Sequence, residues 1–211
     1  MADYFRPEEI EAESFRIIAE EIRRMDRELP KAYAPVIQRV IHTTADFSYL
    51  DSLYFSEGSM EAAVRALRLG SSVVTDTNMA RAGINERVLG RLGGKVLCYM
   101  ADEEVARLAR QRQVTRAVVS MEKTVQAKES CFYVIGNAPT ALIRLVELAQ
   151  EGRIRPGFVI GAPVGFVNVT EAKERLIASG IPCIVPRGRK GGSNVAAAIF
   201  NALLYETAGR G

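Results

Sequence analysis

Histidine is almost absent from this chain: there is one, His42, in 211 residues. That excludes a metal centre built on paired histidines. It also makes His42 the first candidate wherever a proton must move near neutral pH, where imidazole titrates. Taken alone, a solitary histidine is more often structural, capping a helix or buried with a hydrogen-bond partner. Cysteine is scarce too. Cys98, Cys131 and Cys183 are far apart and odd in number, with no C-x-x-C pair. Two of them sit in apolar runs, so they read as buried thiols in a reducing compartment, not as disulfides or zinc ligands.

No charge of one sign dominates. Lys and Arg number 28 against 25 acidic residues, a net +3. That is too weak and dispersed for a nucleic-acid or membrane partner, though it leaves arginine to meet an anionic ligand. No apolar run reaches membrane-spanning length. Met1–Arg6 has no basic stretch followed by an apolar one, so no secretory signal is expected and the location reads as cytoplasmic. Linkers, low-complexity tracts and internal repeats are missing as well, and residues 1–211 are expected to form one domain. Three motifs are also wanting: Gly-x4-Gly-Lys-Ser/Thr, Gly-x-Gly-x-x-Gly after a strand, and Gly-x-Ser-x-Gly. Their absence argues against a Walker phosphate loop, a dinucleotide fingerprint and an esterase triad. A cysteine nucleophile paired with His42 is disfavoured because the thiols lie within strand runs.

What is present is a regular alternation. Pro7 to Arg27 reads as a helix, with Phe15, Ile18, Ile22 and Met25 on one stripe and Pro7 in its first turn. A second helix starts near Pro35 and carries His42 close to its end, with Thr43 to Asp46 expected as the exit loop. A helix C-terminus favours the imidazolium form. Ser59 to Leu69 is a helix closed by Gly70. Five apolar strands follow: Ser72–Asp76, Lys95–Tyr99, Cys131–Gly136, Phe158–Gly161 and Pro182–Val185. Helices are expected from Asp102 to Arg112, Thr115 to Lys128, Pro139 to Gln150, Asn168 to Ser179 and Ser193 to Tyr205. Continuously apolar strands imply burial on both faces. Strands alternating with helices imply a parallel three-layer α/β/α domain.

In such sheets ligands sit beyond the carboxyl ends of the strands. The polar residues and glycines of this chain gather there, as Asp76-Thr77-Asn78, Gly136-Asn137, Gly161-Ala162-Pro163 and Arg187 to Asn194. The last loop is basic and glycine-rich. Gly191 and Gly192 admit close backbone approach, Ser193 is placed to cap the next helix, and Arg187, Arg189 and Lys190 add charge at its positive end. A solvated connecting loop fits the same residues. Asp76 and Asn137 each read equally as caps. Arg116, at a helix start where cations are disfavoured, suggests a partner. Met79, Met100, Met121 and Phe166 are candidates for an apolar floor, with plain core packing the favoured reading.

Five segments carry a resemblance in order: Val40-Ile41-His42-Thr43-Thr44-Ala45-Asp46, Val74-Thr75-Asp76-Thr77-Asn78-Met79, Gly136 to Leu142, Pro163 to Asn168, and Arg187 to Ser193. Together they closely resemble the precorrin-8X methylmutase family of cobalamin biosynthesis. The resemblance runs from Ser14-Phe15 to Tyr205. It implies a flavodoxin-like sheet of order 2-1-3-4-5 behind an N-terminal helical segment, in a homodimer with active sites at or near the subunit interface. It implies an isomerase with no cofactor and no metal ligands. That enzyme moves the ring C methyl group of a corrinoid from C11 to C12, giving cobyrinate or hydrogenobyrinate. Thr43 to Phe47 and Thr75 to Met79 look more like the branch that takes the cobalt-containing substrate. The family's catalytic histidine falls on His42, and its substrate-contacting positions on Ser14, Arg39 and Arg116.

The chemistry fits those residues. A methyl shift around a conjugated ring needs no nucleophile, and protonating a ring nitrogen makes the accepting carbon more electron-poor. His42 is the expected donor. Arg39, Arg116 and Lys190, with the Gly191 and Gly192 amides and Ser193, are expected to hold the substrate's carboxylates. Thr43, Thr44, Asp76, Thr77 and Asn137 complete the expected pocket. Two rivals are a corrinoid carrier without catalysis and a phosphate- or nucleotide-binding protein using the Arg187 to Ser193 loop.

Overall fold

In the computed structural model the described residues are 6–126 and 131–209. Met1–Phe5, which carry the leader expectation, and Ala127–Lys128, the end of the helix expected from Thr115, lie outside them. Helix α1 (Pro7–Arg24) packs on α2 (Ala34–Thr44). A turn of helix, α3 (Tyr49–Ser52), leads into β1 (Leu53–Phe55), and α4 (Ser59–Arg68) precedes β2 (Val73–Thr75). Two short helices, α5 (Asn78–Gly83) and α6 (Glu86–Arg91), lead to β3 (Val96–Leu97). Then come α7 (Glu103–Arg112), α8 (Arg116–Lys123), β4 (Phe132–Ile135), α9 (Pro139–Gln150), β5 (Phe158–Gly161), α10 (Val169–Ala178), β6 (Cys183–Pro186) and α11 (Ser193–Ala208).

The strands form one sheet in the order β1-β6-β5-β4-β2-β3. Every neighbouring pair is parallel except β1 with β6, where Leu53 faces Pro186 and Phe55 faces Ile184. The five parallel strands thus keep the expected 2-1-3-4-5 order. The sheet nevertheless has six strands, not five. The extra one escapes sequence reading because it is three half-buried residues long, too short to show a period of two.

Successive residues of a strand point to opposite faces, and the core divides accordingly. Val73, Phe132, Val134, Phe158 and Ile160 pack with α2, α4 and α11. Val74, Tyr133, Ile135 and Val159 pack with α8, α9 and α10. Each fully buried Leu, Ile or Phe in these layers contributes roughly 1.5–3 kcal/mol.

Two helix ends differ from expectation, both near the site. Helix α1 stops at Arg24, because Asp26 adopts a left-handed conformation with φ 55°. Met25 is then left 46% exposed and does not extend the buried stripe of Ile18 and Ile22. Helix α2 runs through Thr43 and Thr44, which were expected in the exit loop. The Thr43 hydroxyl donates to the Arg39 carbonyl at 2.9 Å and that of Thr44 to the Val40 carbonyl at 2.8 Å, so both fold back onto the helix. The turn comes at Ala45, at φ 52°.

Candidate active site

The carboxyl ends of β2, β4, β5 and β6 open on one rim, and the end of α2 is fastened to it. Lys190, after β6, donates to Asp46 Oδ2 at 2.5 Å and to Ser48 Oγ at 2.9 Å. The Asp46 amide in turn reaches Thr44 Oγ1 at 3.3 Å. Lys190 is therefore engaged within the chain and fixes the exit of the helix that carries His42. Its ammonium holds the Asp46 carboxyl down at about 2, helped by the Ser48 hydroxyl. A carboxyl lowered from 3.8 contributes stability that is complete above that pH and is lost as pH falls toward 2. The pair is exposed, so Lys190→Ala is expected to cost under about 1 kcal/mol at neutral pH. Denaturant titrations at several pH values should show the difference vanish near pH 2.

His42 lies in the last turn of α2 and is exposed. Its ring centroid is 5.4 Å from that of Phe15, at 57°. Arg39 is one turn earlier, three residues away and thus on the same side. Only 14% of its side chain is exposed: it pairs with Glu11, and its Cζ lies 4.9 Å from the Phe15 ring and 5.4 Å from that of Tyr205. Ser14, next to Phe15 on α1, donates to the Ile10 carbonyl at 2.8 Å. The packing of α1 on α2 thus brings Ser14, Arg39 and His42 to one place. A cavity of about 190 Å³ adjoins Arg39, walled also by Phe15, Pro35, Gln38, Ala202, Tyr205 and Glu206.

The β6–α11 loop differs from its sequence reading. The Gly192 amide donates to the Ala162 carbonyl at 2.9 Å and does not face a ligand. A Cβ at Gly191 would stand 2.4 Å from the same carbonyl oxygen, so glycine is needed there for loop-to-loop approach. Ser193 is not the N-cap of α11: Gly192 takes that position, and Ser193 Oγ lies 2.9 Å from Thr77 Oγ1. Thr77 also caps α5, accepting from the Ala80 amide at 3.0 Å.

Asp76 is fully buried and caps nothing on its own segment. Its carboxylate accepts from the amides of Gly136, Asn137 and Ala138 at 2.8, 2.8 and 2.7 Å, tying β2 to the turn after β4. Burial pushes its carboxyl upward, and the N–H bonds pull it back. Asn137 is exposed and does not cap α9, whose N-cap is Ala138. Arg116 opens α8, exposed and without an ion pair among the described residues. It stands on the opposite face of the sheet from α2, since α8 packs in the other layer. One chain therefore brings Ser14, Arg39 and His42 together and ties Lys190 to the end of α2, while Arg116 stays in the other layer.

The apolar floor divides. Met121 is core, as favoured, and Met100 is half-buried. Met79 and Phe166 are 74% and 83% exposed, against the core reading: Met79 stands in the first turn of α5 and Phe166 on the loop after β5. Arg189 Cζ lies 5.4 Å from the Phe166 ring. Two groups were not singled out from sequence: Asp46, and Lys173, buried on α10.

A sequence profile described as precorrin-8X methylmutase matches residues 9–206. The chain belongs to the precorrin-8X methylmutase family. It is a methyl-shifting isomerase of cobalamin biosynthesis. The cobalt-precorrin-8 methylmutase of Salmonella typhimurium is 46% identical over 204 residues, 95% of each chain. The precorrin-8X methylmutase of Pseudomonas aeruginosa is 36% identical, covering 98% of this chain and 99% of its own. The crystal structure of precorrin-8X methylmutase from Thermus thermophilus superposes with a TM-score of 0.86 at 38% identity, covering 95% of this chain and 96% of that one. Among the described residues of this methylmutase, no helix is long and apolar enough to cross a membrane.

Proposed function

We infer that this methylmutase takes a cobalt-containing precorrin-8 and moves the ring C methyl group from C11 to C12, with His42 as the proton donor. The exposure of His42 beside Arg39 and Ser14 carries this reading, because a donor must reach a ring too large to enter the fold. A cavity of about 190 Å³ is smaller than the roughly 300–1,000 Å³ of sites that enclose drug-sized ligands. The macrocycle therefore lies across the rim, its flat face toward exposed apolar groups such as Met79 and Phe166. Arg39 and Arg116 hold its carboxylates, with Thr43 and Asn137 at the edge. Lys190, Asp76, Thr77, Gly191, Gly192 and Ser193 shape the rim from within. Thr44 holds the end of α2.

A site this open in one chain is completed by a second, which would bring an Arg116 to the His42 side. The working unit is a homodimer of single-domain chains in the cytoplasm, acting without a cofactor. Sedimentation at assay concentration reads the dimer directly. The cobalt-containing substrate is favoured because the Salmonella relative bears the name cobalt-precorrin-8 methylmutase. The phosphate-binding alternative is disfavoured because the Gly192 amide and the Ser193 hydroxyl are already engaged within the chain.

The test is turnover. The purified protein is mixed with cobalt-precorrin-8 or its metal-free counterpart and the macrocycle absorption is followed. Conversion of the cobalt form at the higher kcat/KM is expected. Tight binding with no spectral change would make the protein a carrier. Thermal stabilisation by nucleotide and none by corrinoid would favour the phosphate reading.

A further inference from the structure

Lys173 is the one lysine with a fully buried side chain among the described residues, and it sits behind the basic loop, not on the surface. Its Nζ donates to the carbonyl of Gly188 at 2.8 Å and to that of Lys190 at 2.7 Å. No carboxylate pairs with it among the described residues. Burying an ammonium without a counter-ion is costly, and desolvation here lowers its pKa to about 8. Packing alone does not account for it: α10 buries Val169, Ala172 and Leu176 on the same side, and a leucine or methionine would fill the space at less cost.

The two carbonyls it grips belong to the segment that carries Arg187, Arg189 and Lys190. Three backbone bonds also hold that loop, from Arg187 to Ser52 at 2.7 Å at its start, from Gly165 to Arg189 at 3.2 Å and from Gly192 to Ala162 at 2.9 Å at its end. From Lys173 a continuous chain of hydrogen bonds runs through the Lys190 backbone, the Lys190 ammonium and Asp46 to Thr44, two residues from His42. Gly188 turns the loop at φ 75°, and a carbonyl freed there would let it relax outward.

We propose that Lys173 is a positioning residue for substrate carboxylates: from beneath, it fixes the Arg187–Lys190 loop and the end of α2 that the loop secures. It also adds an uncompensated positive charge under a rim that already presents Arg187 and Arg189. The ligand class is a polycarboxylate, so the proposal rests on the reading of this rim as the corrinoid site. Lys173 touches no substrate. It acts through the loop.

The experiment compares K173M, K173R and K190A with the double variant K173M/K190A. Amide hydrogen exchange comes first, because it needs no substrate. In K173M the Gly192 and Gly165 amides are expected to exchange about tenfold faster, while those of β4 and β5 are unchanged. In turnover with the corrinoid substrate, KM is expected to rise about tenfold with a much smaller change in kcat, and K173R to recover most of it. K190A should add little in the K173M background, because both changes release the same loop. A folded K173M with wild-type exchange and KM overturns the proposal, as do K173M and K190A effects that simply multiply. Failure of both Lys173 variants to fold assigns the residue to stability and also overturns it. If the wild type does not turn over a corrinoid, it is the functional reading that fails, and the exchange result still reports on the loop.

Discussion

His42→Ala is expected to lower kcat by about two to four orders of magnitude, the range general acid catalysis contributes, with little change in corrinoid affinity. No other imidazole exists in the chain to take over the proton. A guanidinium does not give up its proton in proteins, so an arginine is no substitute. Because His42 is exposed, its loss removes little packing beyond the contact with Phe15, and thermal stability should hold close to wild type. His42→Asn separates the two ways the side chain can help. It can still hydrogen-bond to a ring nitrogen but gives up no proton, so it should be nearly as slow as alanine. Single-turnover absorbance gives the rate, and titration with product gives the affinity. A His42→Ala enzyme within threefold of the wild-type rate would remove proton donation from the mechanism.

The parts of the fold that sequence reveals are those whose signal is local. Val73-Val74, Phe132 to Ile135 and Phe158 to Gly161 are apolar on both faces because both faces are covered, and that places the parallel strands without any knowledge of their partners. Helices α5 and α6 are six residues each and carry no stripe long enough to see. Their caps, Thr77 and Asn85, stand in the sequence but look like ordinary loop residues. The site follows the same division. His42 stands out because it is the single histidine, whereas Arg39 and Ser14 are marked only by the resemblance. Met79 and Phe166 mislead, since an apolar residue near a strand end normally packs inward, whereas the outer side of α5 and the loop after β5 leave these two exposed. Gly191 and Gly192 mislead in the opposite sense. Their freedom serves the approach to Ala162, a contact invisible until β5 and β6 are side by side. Lys173 looks like a solvated position on an amphipathic helix, with charged residues on either side in the sequence. Its role depends on carbonyls fifteen and seventeen residues away.

Asp76→Ala should be the most destabilising single substitution near the rim. Sequence offers a cap or a ligand for this residue. The structure makes it a brace between β2 and the turn after β4, across sixty residues of chain. Alanine leaves the buried amide of Gly136 and the part-buried amides of Asn137 and Ala138 without their acceptor. Each orphaned buried amide costs about 1–3 kcal/mol. One buried amide and two part-buried ones bring the sum to about 3 kcal/mol, against a typical total stability of about 5–15 kcal/mol. Asp76→Asn tests the mechanism, because it keeps the shape and one acceptor oxygen. That oxygen can serve the pair formed by Asn137 and Ala138 on Oδ2, leaving the new amide group opposed to the Gly136 N–H. Asn should therefore lie between wild type and Ala in denaturant midpoint. The Gly136 turn also packs against α11, where a Cβ on Gly136 would stand 2.7 Å from Ser193 Cα. A loosened brace therefore reaches the Ser193–Thr77 contact, and amide exchange at the start of α11 should quicken in Asp76→Asn. Equal midpoints for wild type and Asp76→Ala would mean that water or a local rearrangement satisfies the three amides, and that the brace is not what holds this corner of the rim.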